Sequence, residues 1–560
     1  MVPCKKFNSV ARILIEMKRH NAAAFLMLLG VCLAPRLIGQ GNRPQADSSL
    51  HATAEDLLTR PVGENWTSYN GDYTGRRYSS LREINRGNVA QMRAAWVFHP
   101  GNTQKLEATP VVIRGVMYLT SANDVFALDA SSGRTLWHYS RPVSSGLLDD
   151  AASHKSRGVA VWKEFVYSET DDAHLLCLDA RSGNLLWAIE YADKVKQYGA
   201  TSAPLVVKDE VIVGTSGGDS GVRGFVAAYD ARKGTLKWRL WTIPGPGEFG
   251  SASWPGDSYL HGGGTTWMPG TYDPELDTLY WTTSNAAPDF DGSSRPGDDL
   301  YTASVLALDP DTGRLKWYFQ FTPHDLYDYD ANETPVLVER EENGLLRHLL
   351  IQANRNGFFY ILDRTNGKFL RATPFVGKLN WATGIDASGR PLLSGRVPTT
   401  AGTSICPGIN GATNWFSPSY NPDTGLFYLM ALESCDLYFT KPKPFTQGET
   451  FYGTGTKRPV GEDSRKILLA LAPDGKRVWQ YPQAGSGSSW GGTLTTAGGL
   501  VFFADDAESF EAVDAETGRA LWHFNTGQSF SASPMTYAVD GIQYVAICAG
   551  SDVFSFALPQ

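Results

Sequence analysis

Residues 127–137 read ALDASSGRTLW, and the pattern apolar-Leu-Asp-Ala-x-x-Gly-x-x-x-Trp returns along the whole chain. It recurs as CLDARSGNLLW ending at Trp187, AYDARKGTLKW at Trp238, ALDPDTGRLKW at Trp317, ALAPDGKRVW at Trp479 and AVDAETGRALW at Trp522. Weaker copies, ILDRTNGKFL and NPDTGLFYL, start at Ile361 and Asn421. The spacing is about 50 residues where no insertion intervenes, and such a period signals a solenoid or a propeller. In each copy a short β-rich run leads into Asp-x-x-x-Gly and out to a second run ending in Trp. Asp and Gly supply a tight turn, so each copy predicts a hairpin. Between copies lie short apolar runs, such as VVIRGVMYL at 111–119 and VVKDEVIVGT at 206–215, bounded by Gly and charged residues as strands should be. About four strands per 50 residues is the size of one propeller blade. Counting Trp96 with the Trp-ended and weaker copies gives about eight. The expected fold is all-β: an eight-bladed β-propeller over residues 60–560, with each repeat tryptophan wedged between blades.

Composition agrees. The chain has 560 residues, 42% hydrophobic and 19% charged, with a formal net charge of −8. That excludes a disordered chain and argues against a nucleic-acid partner, which calls for a basic stripe. The 57 glycines, 16 tryptophans and 12% aromatic content fit many turns and many rings docked between strands. Six cysteines do not make a disulfide scaffold.

Residues 1–40 read as a targeting segment. The basic stretch Met17-Lys18-Arg19-His20 precedes an apolar run of about thirteen residues, 22–34, too short to span a bilayer comfortably and right for a secretory signal. Met17 is a second candidate start, and Val31 before Cys32 is wrong for a lipoprotein signal. No second long apolar run follows, so an exported, periplasmic protein is expected, with an uncleaved anchor as the alternative.

Four oxygen donors stand out. If TPHDLYDYD (322–330) is extended, Asp328 and Asp330 leave from one face while Tyr329 points away. Two such carboxylates repel and push one pKa up unless a cation lies between them. Asp219 in GGDSG and Asn285 in TTSNAAP add donors on Gly- and Ser-rich turns. This set suits Ca²⁺ or a similar hard cation, not zinc or copper. Turn capping is the other reading of an isolated Asp-x-Asp.

Over residues 60–550 the sequence resembles the quinoprotein alcohol dehydrogenases, eight-bladed propellers carrying pyrroloquinoline quinone (PQQ) and a metal on the central axis. The resemblance runs through Trp66, RYS at 77–79, Ile84-Asn85, Asn88-Val89 and Trp96. It continues in SRGVAVW at 156–162, GGDSGVRGF at 217–225, GGGTTW at 262–267 and RPGDDLYTASVLALDPDTG at 295–313. TPHDLYDYD, NRNGFFYILDRTNG at 354–367 and WGGTLTTAGGLVFF at 490–503 complete it.

The resemblance implies roles. Asp219, Asn285 and Asp328 fall where the metal ligands fall, and Asp328 matches the general base that takes the alcohol proton while hydride passes to the quinone. Asp330 matches the extra ligand of lanthanide-using members, where calcium members carry a small or neutral residue. Arg157 and Arg355 match the guanidiniums that meet PQQ, and Trp267 the indole on which it stacks. Glu107, Thr201, Ser216, Gly217, Asn414 and Trp490 match polar or edge contacts, and Cys406 and Cys435 a structural disulfide. The implied reaction oxidises a primary alcohol to an aldehyde with PQQ and one metal ion, a lanthanide or Ca²⁺. No Cys-x-x-Cys-His occurs, so electrons are expected to leave to a separate soluble cytochrome c-like acceptor. A homodimer is left open.

Three departures accompany the match. Ala151-Ala152 stands where many members carry a cysteine pair covering the PQQ face. Asp219 replaces the usual Glu, withdrawing the carboxylate by about 1.3 Å, the reach of one bond. The sequence stops soon after Cys548, without the family's longer C-terminal loop, which predicts a more open funnel. Cys177 and Cys548 are expected as buried thiols, and His324 as a loop residue shaping the approach to Asp328. A cofactor-free propeller serving as a binding platform, and a quinoprotein oxidising sugars or polyols, are the competing functions.

Overall fold

The computed structural model describes residues 52–560 apart from 102–104, 149–150, 152–153, 343 and 485–489. Residues 1–40, expected to be a targeting segment, with Cys4 and Cys32, and Ala152 of the alanine pair lie outside the described residues.

The repeat folds as a hairpin for local reasons. Strands Asp124–Asp129 and Thr135–Tyr139 pair antiparallel. Between them the Asp129 carboxylate accepts from the N–H groups of Ser131 at 3.0 Å and Ser132 at 3.1 Å. Gly133, at φ +71°, closes the turn by donating its N–H to the Asp129 carbonyl at 2.8 Å. An Asp that bonds its own backbone and a glycine free to go left-handed are what this turn requires.

Eight sheets of four or five strands lie among the described residues, and six of them contain this hairpin. The first runs in order through Val111–Ile113, Val116–Ser121, Asp124–Asp129 and Thr135–Tyr139. The last contains Met535–Val539, Ile542–Ala549 and Asp552–Ala557, and takes its outer strand, Arg93–Phe98, from the other end of the chain. This pairing ties the two ends of the described chain into one sheet.

The glycine of the repeat has a second task. A Cβ at Gly133 would lie 2.7 Å from the Trp96 ring, at Gly183 2.5 Å from Trp137, and at Gly313 2.3 Å from Trp238. At Gly367 it would lie 2.5 Å from Trp317, and at Gly518 2.6 Å from Trp479. Each tryptophan thus lies on the turn glycine of the following repeat. Several indole N–H groups also donate to that repeat's backbone, as Trp137 does to the Ala180 carbonyl at 2.9 Å and Trp238 to Pro310 at 2.7 Å. Trp522 donates to the Met92 carbonyl at 2.9 Å, carrying the docking back to the first sheet residues.

Two small sheets interrupt the repeat. One of them is built on an excursion between the neighbouring strands Leu426–Glu433 and Arg465–Leu471, whose strands Asp436–Thr440 and Thr454–Lys457 are joined by the earlier strand Thr403–Ile405. A disulfide joins Cys406 and Cys435 at its base, and Cys177 and Cys548 are buried free thiols. Burial pushes the Cys177 thiol up to about 12. Among the described residues no helix is long and apolar enough to cross a membrane.

Candidate active site

Irregular segments at the strand ends meet around a cavity of about 230 Å³. Arg157, Thr201, Ser216, Gly217, Asp219, Trp267, Asn285, Asp328, Asp330 and Arg355 all line it. Glu107, Asn414 and Trp490 are not among its lining residues. Glu107 stands behind it and accepts from Arg157 Nη2 at 2.8 Å. Asn414 turns its amide to the Asn410 carbonyl at 2.9 Å. Trp490 faces a separate cavity of about 480 Å³, beside Lys466 and Asp506.

TPHDLYDYD is not a strand, so the condition for placing Asp328 and Asp330 on one face by alternation is not met. Asp328 has φ +59°, a left-handed conformation that Asp tolerates better than most residues. Asp325, unremarked in the sequence, folds the segment. Its carboxylate accepts from the N–H groups of Tyr327 at 3.0 Å and Tyr329 at 2.8 Å. Fully buried Arg295 donates to the Asp325 carbonyl at 2.6 Å, and the Tyr329 hydroxyl to the Pro407 carbonyl at 2.5 Å. His324 reaches Asp299, Nδ1 to Oδ2 3.1 Å, so it braces this loop from behind.

The two carboxylates nevertheless reach one partner. Arg355 donates from Nη1 to Asp330 at 2.6 Å, and from Nη2 to Asp328 at 3.2 Å and the Ile409 carbonyl at 2.7 Å. The Asn285 backbone N–H donates to the other Asp330 oxygen at 2.8 Å, and its side-chain amide to Asp219 at 3.4 Å. One chain of polar contacts therefore links Asp219, Asn285, Asp330, Arg355 and Asp328. Among the described residues no three Asp, Glu, His or Cys side chains converge as a ready metal cage.

Burial dominates the electrostatics. It pushes the Asp328 carboxyl well above the usual range, with Asp330, Asp219 and Asp325 adding to the rise and Arg355 opposing it. Burial raises Asp330 too, against the pull of Arg355. Asp325 is pushed up to about 6 by the same cause. Glu333 is buried with neither carboxylate oxygen hydrogen-bonded, and burial raises it strongly.

The Arg157 guanidinium lies over two indoles of the same cavity, 4.9 Å from the Trp267 ring and 4.7 Å from that of Trp415. Its Nη1 donates to the Thr201 carbonyl at 2.9 Å, while its buried Nε has no partner. Asn332, with its amide turned to satisfy both ends, accepts from Trp267 Nε1 at 2.5 Å. Trp415 escaped the sequence reading, although it stands outside the docking repeat as Trp267 does. Lys155, Thr265 and Ser284 are further lining residues it missed. Ala151 is fully buried, and its carbonyl accepts from the Ser216 hydroxyl.

Residues 66–373 and 456–545 match the family described as PQQ: Glucose/ethanol/alcohol dehydrogenase, beta-propeller domain. The chain is 41% identical over 515 residues to the quinohemoprotein alcohol dehydrogenase ADH IIB of Pseudomonas putida, covering 88% of this chain and 74% of that protein. It is 34% identical to the lanthanide-dependent methanol dehydrogenase of Methylacidiphilum fumariolicum, covering 89% of this chain and 87% of the relative. A solved europium-containing methanol dehydrogenase superposes with a TM-score of 0.83 at 32% identity, over 90% of this chain and 99% of that one. With the propeller and a cavity walled by paired arginines, carboxylates and an indole, these likenesses place the chain in the PQQ-dependent alcohol dehydrogenase family.

Proposed function

We propose that this protein is an exported dehydrogenase that oxidises a primary alcohol to an aldehyde and passes the electrons to a separate cytochrome-type acceptor. The observation that carries this reading is the joint placement of Asp219, Asn285, Asp328, Asp330 and Arg355 around one cavity that Arg157 and Trp267 also line.

The residues present fit both implied groups. Buried carboxylates whose pKa values are raised by burial and by one another form a donor set that a hard cation would relieve. The partnerless Arg157 Nε and Arg355 Nε, and the indole of Trp267, suit a flat polyanion. Asp219, Asn285, Asp328 and Asp330 would hold the metal, and Arg157, Arg355 and Trp267 would hold PQQ. When bound, PQQ supplies a hydride-accepting quinone and the metal its Lewis acidity.

Asp328 takes the hydroxyl proton of the alcohol on a carboxylate oxygen. Arg355, bonded to both carboxylates, fixes their direction and favours the ionised form that a base needs. Trp267 and Trp415 hold the Arg157 guanidinium flat. The extra carboxylate of Asp330 favours a trivalent lanthanide over Ca²⁺ on charge grounds. The disulfide Cys406–Cys435 accords with an oxidising, periplasmic location.

Reconstitution of the purified chain with PQQ, in parallel with Ca²⁺ and with La³⁺, tests the reading. Saturable quinone absorption with metal-dependent dye reduction by short primary alcohols is expected. A folded protein that ignores PQQ under both ions would overturn it.

A further inference from the structure

The excursion described above sends out an arm, residues 441–453, between the paired strands Asp436–Thr440 and Thr454–Lys457. The arm does not line the cavity. It instead presses on the outside of the turn that carries Asp219. The Phe451 N–H donates to the Asp219 carbonyl at 2.6 Å. The Phe445 ring lies so close to Gly221 that a Cβ there would sit 2.6 Å from it, and 3.2 Å from Phe451. Phe445 is fixed in turn: it stacks on His261 at 3.5 Å between centroids, and meets Phe451 edge-on at 5.6 Å. His261 Nδ1 also lies 3.1 Å from the Gly221 carbonyl. The arm's far tip is tied down where the Gln447 amide donates to the Val195 carbonyl at 2.9 Å.

The turn needs such a hold. Asp219 rides on the short 3-10 turn Gly218–Ser220, flanked by Gly217 at φ +97° and Gly221 at φ +74°. Glycine on each side gives the turn two low-barrier pivots. On the inner side Gly217 packs against the Gln197 carbonyl, where a Cβ would lie 2.2 Å away. The arm is the matching outer wall. An aspartate reaches about 1.3 Å less far than the usual glutamate, so the position of its backbone weighs more heavily in where its carboxylate meets an ion.

We infer that the 441–453 arm is a clamp, with Phe445 and Phe451 as positioning residues that hold the short Asp219 against the bound metal and so set the site's affinity and its discrimination by ion size. This rests on the metal role proposed above for Asp219. A ligand held rigidly selects among ions by radius, and one free to follow the ion does not. Loss of an outer contact to a metal ligand commonly weakens binding by about 10–100-fold.

The test uses the full chain with PQQ, titrated with Tb³⁺ and read by tryptophan-sensitised emission, with La³⁺ and Lu³⁺ as large and small competitors. Phe445→Ala and the milder Phe445→Leu are compared with wild type and with Phe249→Ala, an exposed residue off the arm. The expected result is a Tb³⁺ Kd raised about tenfold in Phe445→Ala, a smaller rise in Phe445→Leu, and a La³⁺ to Lu³⁺ affinity ratio moving towards one. Phe249→Ala should match wild type. Unchanged Kd and unchanged ratio in a folded Phe445 variant would overturn the clamp while leaving the metal site standing. Absence of saturable Tb³⁺ binding in wild type would overturn the metal site itself, and the clamp with it.

Discussion

Asp328→Asn should stabilise the metal-free protein at neutral pH while removing its activity. A carboxyl whose folded-state pKa lies above its unfolded value stabilises the fold fully below the unfolded value. That contribution is lost as pH rises through the folded value. Asp328 is such a group, raised by burial and by three neighbouring carboxylates against the pull of Arg355. One pH unit corresponds to about 1.36 kcal/mol. Between its ordinary value of 3.8 and pH 7, the wild-type carboxyl therefore disfavours the fold by at most about 4 kcal/mol. Asparagine offers Arg355 the same acceptor oxygen as the neutral acid, and tolerates the φ of +59° at this position. Unfolding entropy is about 2.1 cal/mol/K per residue, so some 500 residues unfolding together give about 1 kcal/mol per degree. The expected Tm rise in chelator is then up to about 4 °C at pH 7, shrinking to nothing near pH 4. Thermal melts of both proteins from pH 4 to 8 measure it. With PQQ and metal restored, dye reduction should fall by about 10²–10⁴-fold. A variant no more stable than wild type at pH 7, or a gain that does not vary with pH, would refute the reasoning.

Arg157→Lys should weaken PQQ binding at least about tenfold by tryptophan quenching. A point charge cannot bridge the Thr201 carbonyl and Glu107 while lying flat over Trp267 and Trp415. An unchanged Kd would show that the guanidinium plane is unimportant. Asp330→Ala removes one negative oxygen and should shift metal preference from La³⁺ towards Ca²⁺ in parallel titrations; an unaltered ratio would count against Asp330 as a ligand. Replacing both Cys406 and Cys435 with Ser frees a closure with a sequence separation of 29, worth about 3–4 kcal/mol by loop entropy. The melting midpoint should drop by several degrees, and equal midpoints would exclude that contribution.

The repeat made the fold legible because one local pattern encodes both turn and docking. Asp129 bonds the backbone two and three residues on, and Gly133 meets the left-handed requirement and leaves room for Trp96. What stayed hidden came from contacts between distant segments. Nothing local in NGATNWFS says that Trp415 will cover Arg157. Nothing in KPKPFTQGETFYG says that Phe445 will reach Gly221. The Asp-Tyr-Asp segment stayed open for a different reason. Alternation holds only for an extended segment, but Asp325 captures two N–H groups of its own segment and turns the backbone left-handed at Asp328. A short polar side chain that competes with strand pairing for the backbone defeats a period-two argument.

The site and the repeat divide the chain cleanly, and that division explains why the site can carry so much strain. Every lining residue of the cavity falls outside the Asp-x-x-x-Gly to Trp pattern. Arg157 precedes strand Val159–Trp162, Ser216 follows Glu210–Val213, Asn285 follows Thr278–Thr282 and Arg355 follows Leu345–Ala353. Each side chain is thus aimed by a rigid strand end without being needed to hold that strand in its sheet. Buried carboxylates with raised pKa values are costly, and they persist where the surrounding structure over-determines the backbone that bears them. The tryptophan–glycine docking supplies that excess around the ring. Where it does not reach, at the glycine-flanked turn of Asp219, the arm with Phe445 supplies the missing restraint.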